Sequence, residues 1–133
     1  MTLVDTSAWI DFFQGRSPFA SVVDHLLELG EVAICGPIET EIRRGIRSKA
    51  QKLQVLSYLE GCEFLKQPEN LWIEAGELGF LAGRKGVTIK TLDLLIATYA
   101  IAHETSLLTK DSDFELLART GIPLRLEIND LVS

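Results

Sequence analysis

Cysteine and histidine are scarce in this chain, with two of each among its 133 residues. Cys35 and Cys62 form no C-x-x-C motif, and two histidines are too few for a convincing zinc site. Both thiols therefore read as reduced and buried. His25 and His103, set in helical patterns, read as structural. No apolar run is long enough to cross a bilayer, and Asp5 and Asp11 interrupt the N-terminal region where a secretory signal would lie. A cytoplasmic protein with no membrane partner is the expectation. Low-complexity segments, obvious repeats and linker-like runs of Gly, Ser or Pro are also missing. What remains is one domain, residues 1–133, long enough to bury a core. The net charge of −6 argues against sequence-blind adhesion to nucleic acid, which runs on phosphate neutralisation by Lys and Arg. It leaves a nuclease open, because part of the charge can be an acidic site offset by bound cations.

What the chain does have is an alternation of strand and helix signals. Leu3-Val4 is a short apolar run ending on Asp5, and Trp9, Phe12 and Phe13 then recur at helical spacing. Residues 2–5 are expected as a strand, followed by a short helix with Ser7 as N-cap. The three aromatics read as packing residues rather than base-stacking platforms. Pro18 opens a second helix with an apolar stripe of Phe19, Val22, Val23, Leu26 and Leu27, ended by Gly30. Residues 32–35 are a buried-strand candidate. Gly36-Pro37 starts a helix to about Arg47, residues 49–60 continue as helix, and residues 63–65 are a weak strand.

A long helix follows Pro68 to about residue 85. Its Gly76, Gly79 and Gly83 fall on one side, and glycine weakens a helix. Close approach of another backbone is expected there, from helix packing in preference to substrate. Thr91 is expected to cap a helix that is apolar nearly all round, hence central and buried. Residues 106–108 read as a further strand, and Asp111-Ser112-Asp113 leads into a helix with Phe114, Leu117 and Ala118. Residues 123–126 are an edge-strand candidate. Parallel strands joined by right-handed helical crossovers follow from this order.

Four regions send carboxylates toward one place. Asp5 ends the first strand, and in open α/β sheets ligands sit beyond the carboxyl ends of the strands. Glu41 shares a helix face with Ile38, Ile42 and Gly45, where a charge is costly unless paired or metal-bound. Pairing with Arg44 explains it equally well. Asp93 sits in the first turn of the apolar helix, which the helix dipole also favours. Asp111 and Asp113 follow the last strand, where ordinary capping is the rival explanation; Asp111 reads as the inner ligand of the two. Asp11, Asp24, Glu28, Glu31, Glu74 and Glu77 fit solvated faces. Two like charges at ~4 Å repel by ~4 kcal/mol at an effective dielectric of ~20, against a total stability of only ~5–15 kcal/mol. Something positive must offset several such acids, and an all-oxygen ligand set selects Mg²⁺ or Mn²⁺.

Residues 4–9 (Val-Asp-Thr-Ser-Ala-Trp), 41–45 (Glu-Ile-Arg-Arg-Gly), 92–97 (Leu-Asp-Leu-Leu-Ile-Ala) and 108–114 (Leu-Thr-Lys-Asp-Ser-Asp-Phe) together resemble the PIN-domain family, in particular its VapC-type toxins. The resemblance implies an α/β fold, a three-layer α/β/α sandwich around a central, mainly parallel sheet of about five strands. It implies a Mg²⁺- or Mn²⁺-dependent endoribonuclease, commonly dimeric, inhibited by a cognate antitoxin and acting on structured RNA such as tRNA or ribosomal RNA. Asp5, Glu41, Asp93 and Asp111 are then the catalytic acids, with Asp5, Asp93, Asp111 and Asp113 holding metal.

On that reading RNA is hydrolysed by metal-activated water, leaving 5′-phosphate and 3′-hydroxyl ends. Thr6, Ser7 and Thr109 are supporting candidates. Arg43, Arg44, Arg47 and Lys49, and Arg84, Lys85 and Lys90, are candidate RNA contacts, or else solvated helix faces. The aromatic first helix and the Val22/Leu26 stripe offer a groove for an amphipathic antitoxin segment. Three rivals stand beside this reading: a receiver-like phosphoacceptor domain, an Asp-x-Asp phosphatase built on Asp111 and Asp113, and a non-catalytic PIN-like binding module.

Overall fold

A computed structural model describes residues 1–127; the last six residues of the expected domain lie outside the described part. The order is β1 (Thr2–Val4), α1 (Thr6–Phe13), α2 (Phe19–Glu28), β2 (Val32–Ile34), α3 (Gly36–Arg44), α4 (Lys49–Leu59), β3 (Glu63–Phe64), α5 (Leu71–Arg84), α6 (Thr91–Ala102), β4 (Ser106–Leu108) and α7 (Ser112–Ala118). The strands pair in the order β3-β2-β1-β4, all parallel. Helices flank the sheet, giving the expected α/β/α sandwich.

Strand order explains where a site can form. The chain moves outward from β1 through β2 to β3, then returns to lay β4 on the other side of β1. Connections leave β1 and β4 in opposite directions, so a crevice opens between their carboxyl ends. Val4 is in register with Leu108, and the Asp5 amide donates to the Leu108 carbonyl at 2.9 Å. Asp5 and Thr109 therefore emerge side by side.

Both inner strands are continuous apolar runs because both faces are covered. Leu3, Val4, Leu107 and Leu108 are fully buried. Every α6 residue from Asp93 to Ala100 is buried, as its unbroken hydrophobicity requires. Trp9 is fully enclosed; its ring stacks on Phe13, and Phe12 meets the edge of Tyr58. These aromatics are packing residues.

Several sequence expectations shift. The sheet has four strands, and the segment expected as a fifth makes one parallel bridge, Leu107 with Leu126. Pro123 cannot donate to a ladder, so the pairing rests on Leu107, which donates to Arg125 and accepts from Glu127. α3 stops at Arg44 because Ser48 starts a new helix, accepting the Gln51 amide at 3.1 Å. Ser7 and Thr91 lie inside their helices, and Asp5 and Lys90 hold the N-cap positions. Of the three α5 glycines, only Gly79 is tightly approached. A methyl there would meet Leu94 Cδ1 at 2.9 Å, a side chain rather than a backbone, while Gly76 and Gly83 face open space. Cys35 is buried but Cys62 is only half-buried. His103 contacts the Lys66 carbonyl at 2.6 Å and stacks on Tyr99. Among the described residues, no helix is long and apolar enough to cross a membrane.

Candidate metal centre

The carboxyl ends of β1 and β4, the start of α6 and the start of α7 converge on one acidic cleft. One carboxylate oxygen each from Asp93, Asp111 and Asp113 lies within 4.8 Å of the others. Asp93 comes from the first turn of the buried α6. Asp111 is the N-cap of α7, where its Oδ1 accepts the Asp113 amide at 2.9 Å. The capping and site readings of Asp111 are thus compatible, since capping occupies one oxygen.

Asp5 stands beside this triplet rather than in it. Its Oδ2 accepts Thr109 Oγ1 at 2.8 Å and Ser7 Oγ at 3.0 Å. Thr109 Oγ1 in turn accepts the Asp111 amide at 3.0 Å. Ser7, expected as a helix cap, is occupied in tying Asp5 to the far loop: its Oγ also accepts the Lys110 amide at 3.0 Å. Glu41 is half-buried on α3 and accepts Thr6 Oγ1 at 2.8 Å. Its suggested partner Arg44 is not engaged with it; the α3 ion pair is Arg43 with Glu39, at 3.6 Å.

The electrostatics follow from burial. Asp93 is only 7% exposed, and desolvation pushes its carboxyl up to about 6; Lys90 opposes the rise, while Asp111, Asp5 and Glu41 add to it. Asp5 is also raised, chiefly by burial, against the lowering by Thr109 and Ser7. The Lys90 ammonium, 3.7 Å from Asp93 Oδ2, is raised first by Asp93 and then by Asp111. At 3.7 Å this is charge attraction without a hydrogen bond, and Asp93 Oδ2 is buried with no hydrogen-bond partner among the described residues.

A hard divalent cation fits these residues. The oxygen of Asp93 lacks a partner, and a buried carboxylate in that state is costly. The donors are all carboxylate oxygens, the set that suits Mg²⁺ or Mn²⁺. Cys35, the nearby thiol, is pushed up to about 12, mainly by burial with help from Asp5 and Glu41.

A PIN-domain family model matches residues 2–120. The chain belongs to the PIN-domain family. Among curated PIN-domain relatives, VapC ribonuclease Mb1587 of Mycobacterium bovis is 32% identical over 124 residues, covering 90% of this chain and 92% of that protein. Ribonuclease VapC1 of Methanocaldococcus jannaschii is 32% identical over 123 residues, covering 92% and 85%. The fold of this PIN domain matches VapBC2 from Rickettsia felis bound to a promoter DNA fragment, with a TM-score of 0.75 at 21% identity over 95% and 96% of the two chains. Family membership displaces the receiver-like and Asp-x-Asp phosphatase readings.

The other sequence candidates are distributed unevenly. Arg44, Arg47 and Lys49 are exposed, whereas Arg84 sits over the Phe80 ring at 5.9 Å and Lys85 donates to the Thr120 carbonyl. Those last two are engaged by their own fold.

The residue that sequence reasoning missed is Asp11. It was expected on a solvated face and is 5% exposed, paired with Lys110 at 2.8 Å and Arg16 at 3.9 Å. Its position one turn after Ser7 on the same helix face was the available signal. Nothing local announced Lys110 as its partner.

Proposed function

We propose that this PIN domain is a divalent-metal-dependent endoribonuclease and the toxin half of a VapBC-type toxin–antitoxin pair. The observation that carries the reading is the clustering of Asp93, which has a buried oxygen without a partner among the described residues, with Asp111 and Asp113 at the switch point of a parallel sheet. The names of the curated relatives support RNA as substrate. The VapBC2 assembly supports a cognate antitoxin as partner.

Asp5, Asp93, Asp111 and Asp113 would hold Mg²⁺ or Mn²⁺, with Glu41 assisting from α3. A cation held by these residues would supply positive charge to offset the clustered carboxylates and Lewis acidity for phosphodiester hydrolysis by water. The chain's own groups prepare that chemistry. Thr109 and Ser7 fix the Asp5 carboxylate, Thr6 orients Glu41, and the Asp111–Asp113 cap sets the spacing of the last two acids. Asp93 is ionised above about pH 6, so it accepts a cation at neutral pH without first losing a proton. Lys90, beside Asp93, the exposed Arg44 and Arg47, and Arg43, which pairs with Glu39 at 3.6 Å, would supply the phosphate contacts. The groove of about 210 Å³ along Ser21, Val22, His25 and Leu26 is where an antitoxin segment would dock on this reading.

Sequencing of RNA ends after brief expression, with Asp93→Asn as control, tests the proposal. New 5′-phosphate and 3′-hydroxyl ends are expected with the wild type only. Ends carrying 2′,3′-cyclic phosphate would rule out attack by water, and cleavage undiminished in Asp93→Asn would remove the acidic cleft from the chemistry.

A further inference from the structure

We infer that the Asp11–Lys110 ion pair is a positioning device for the acidic cleft, acting on the Thr109–Lys110–Asp111 segment and not on substrate. The inference rests on the metal-centre reading above. Lys110 is gripped twice by one face of α1. Its backbone amide donates to Ser7 Oγ at 3.0 Å, and its ammonium lies 2.8 Å from Asp11 Oδ2. Ser7 and Asp11 are one helical turn apart, so they form two fixed points about a turn's rise from each other. The Phe19 ring of α2, 5.9 Å from the ammonium, closes the third side.

Both neighbours of Lys110 belong to the cleft. Thr109 Oγ1 bonds Asp5 and receives the Asp111 amide. Asp111 caps α7 and shares the acid triplet with Asp93 and Asp113. Holding residue 110 by backbone and side chain leaves the segment little freedom to rotate. Without the side-chain anchor, the hydroxyl contacts of Ser7 and Thr109 would be left to hold the segment against the mutual repulsion of Asp5, Asp93 and Asp111. Asp11 is buried at a cost, and α1 already packs through Trp9 and Ala8. The carboxylate is therefore surplus to the core, and its consequence falls on the loop.

The pair can be tested without disturbing net charge. Asp11→Asn combined with Lys110→Met removes one negative and one positive charge and leaves no orphan ion buried. Mn²⁺ binding by calorimetry is expected to weaken roughly tenfold, the lower end of the loss when an outer partner of a metal ligand is removed. Lys110→Arg, which can still reach Asp11, is expected to bind near the wild-type level. In the metal-free chain, the Asp111 and Asp113 amides should exchange with deuterium faster in the double variant, and at the wild-type rate in Lys110→Arg. A merely structural pair would change the melting temperature and leave these two readouts alone. A double variant with wild-type Mn²⁺ affinity and wild-type exchange overturns the inference. A wild type that takes up no Mn²⁺ overturns the metal-centre reading instead, and amide exchange then still decides whether the pair holds the segment.

Discussion

Thr109 Oγ1 donates to Asp5 Oδ2 at 2.8 Å, a contact between residues 104 positions apart in the chain. It joins the carboxyl ends of β1 and β4, the two strands flanking the switch point. The same oxygen accepts the Asp111 amide at 3.0 Å. One hydroxyl thus orients a first-strand acid and the turn that carries a second.

Thr109→Val keeps the volume and deletes both bonds. Hydrogen bonds to charged groups contribute about 1.5–3 kcal/mol, so we expect the metal-free fold to lose about 2 kcal/mol. Urea denaturation checks this through the midpoint at constant slope. Asp5 should also titrate higher, since Thr109 is the main influence holding it down against burial. Carbon-detected NMR titration of the Asp5 carboxyl would read that change.

Asp93→Asn is expected to stabilise the metal-free chain at neutral pH. Burial pushes the folded Asp93 carboxyl up to about 6, above the ordinary aspartate value of 3.8. Between those values the folded state binds more protons than the unfolded state, so this group's contribution to stability falls as pH rises through the window and stays low above it. The shift corresponds to about 3 kcal/mol at most; with solvent screening at the cleft mouth, a gain of about 1–2 kcal/mol is expected. The wild type should melt progressively higher as pH drops from 6 toward 4 relative to Asp93→Asn. Added Mn²⁺ should reverse the order at pH 7, raising the wild type only, and lose that effect below pH 6, where a proton competes for Asp93.

Under the proposed function, Lys90 would compete with the cation for Asp93 and attract the RNA backbone. Its ammonium lies 3.7 Å from the Asp93 oxygen that has no hydrogen-bond partner among the described residues. Lys90→Met is expected to tighten Mn²⁺ binding while weakening RNA binding. The slope of log affinity against log salt should flatten by about one unit if Lys90 contacts a phosphate. Titration of Asp93→Asn protein with RNA, with and without Lys90→Met, measures that slope.

Both thiols should be sluggish. Burial pushes Cys62 up to about 11 and Cys35 up to about 12, so little thiolate exists near neutral pH. A maleimide at pH 7 is expected to label Cys62 slowly and Cys35 only on global unfolding. Mass spectrometry at increasing urea would follow the order.

The sequence by itself determined the element types and the acids worth watching. Apolar runs and period-3.6 hydrophobicity are local properties, so β1, the buried α6 and the stripe of α2 could be read directly. Asp93 on an apolar helix and Asp111 after an apolar strand stood out for the same reason. The tertiary structure alone decided the pairings. Ser7 turned from helix cap to bridge between Asp5 and Lys110, Asp11 moved from solvent into a buried ion pair, and the fifth strand shrank to one bridge at Leu107. Each depends on β4 crossing back to lie against β1. A hydrogen bond or ion pair is specified by where two distant groups meet, and that meeting is written in the strand order, not in the residues on either side.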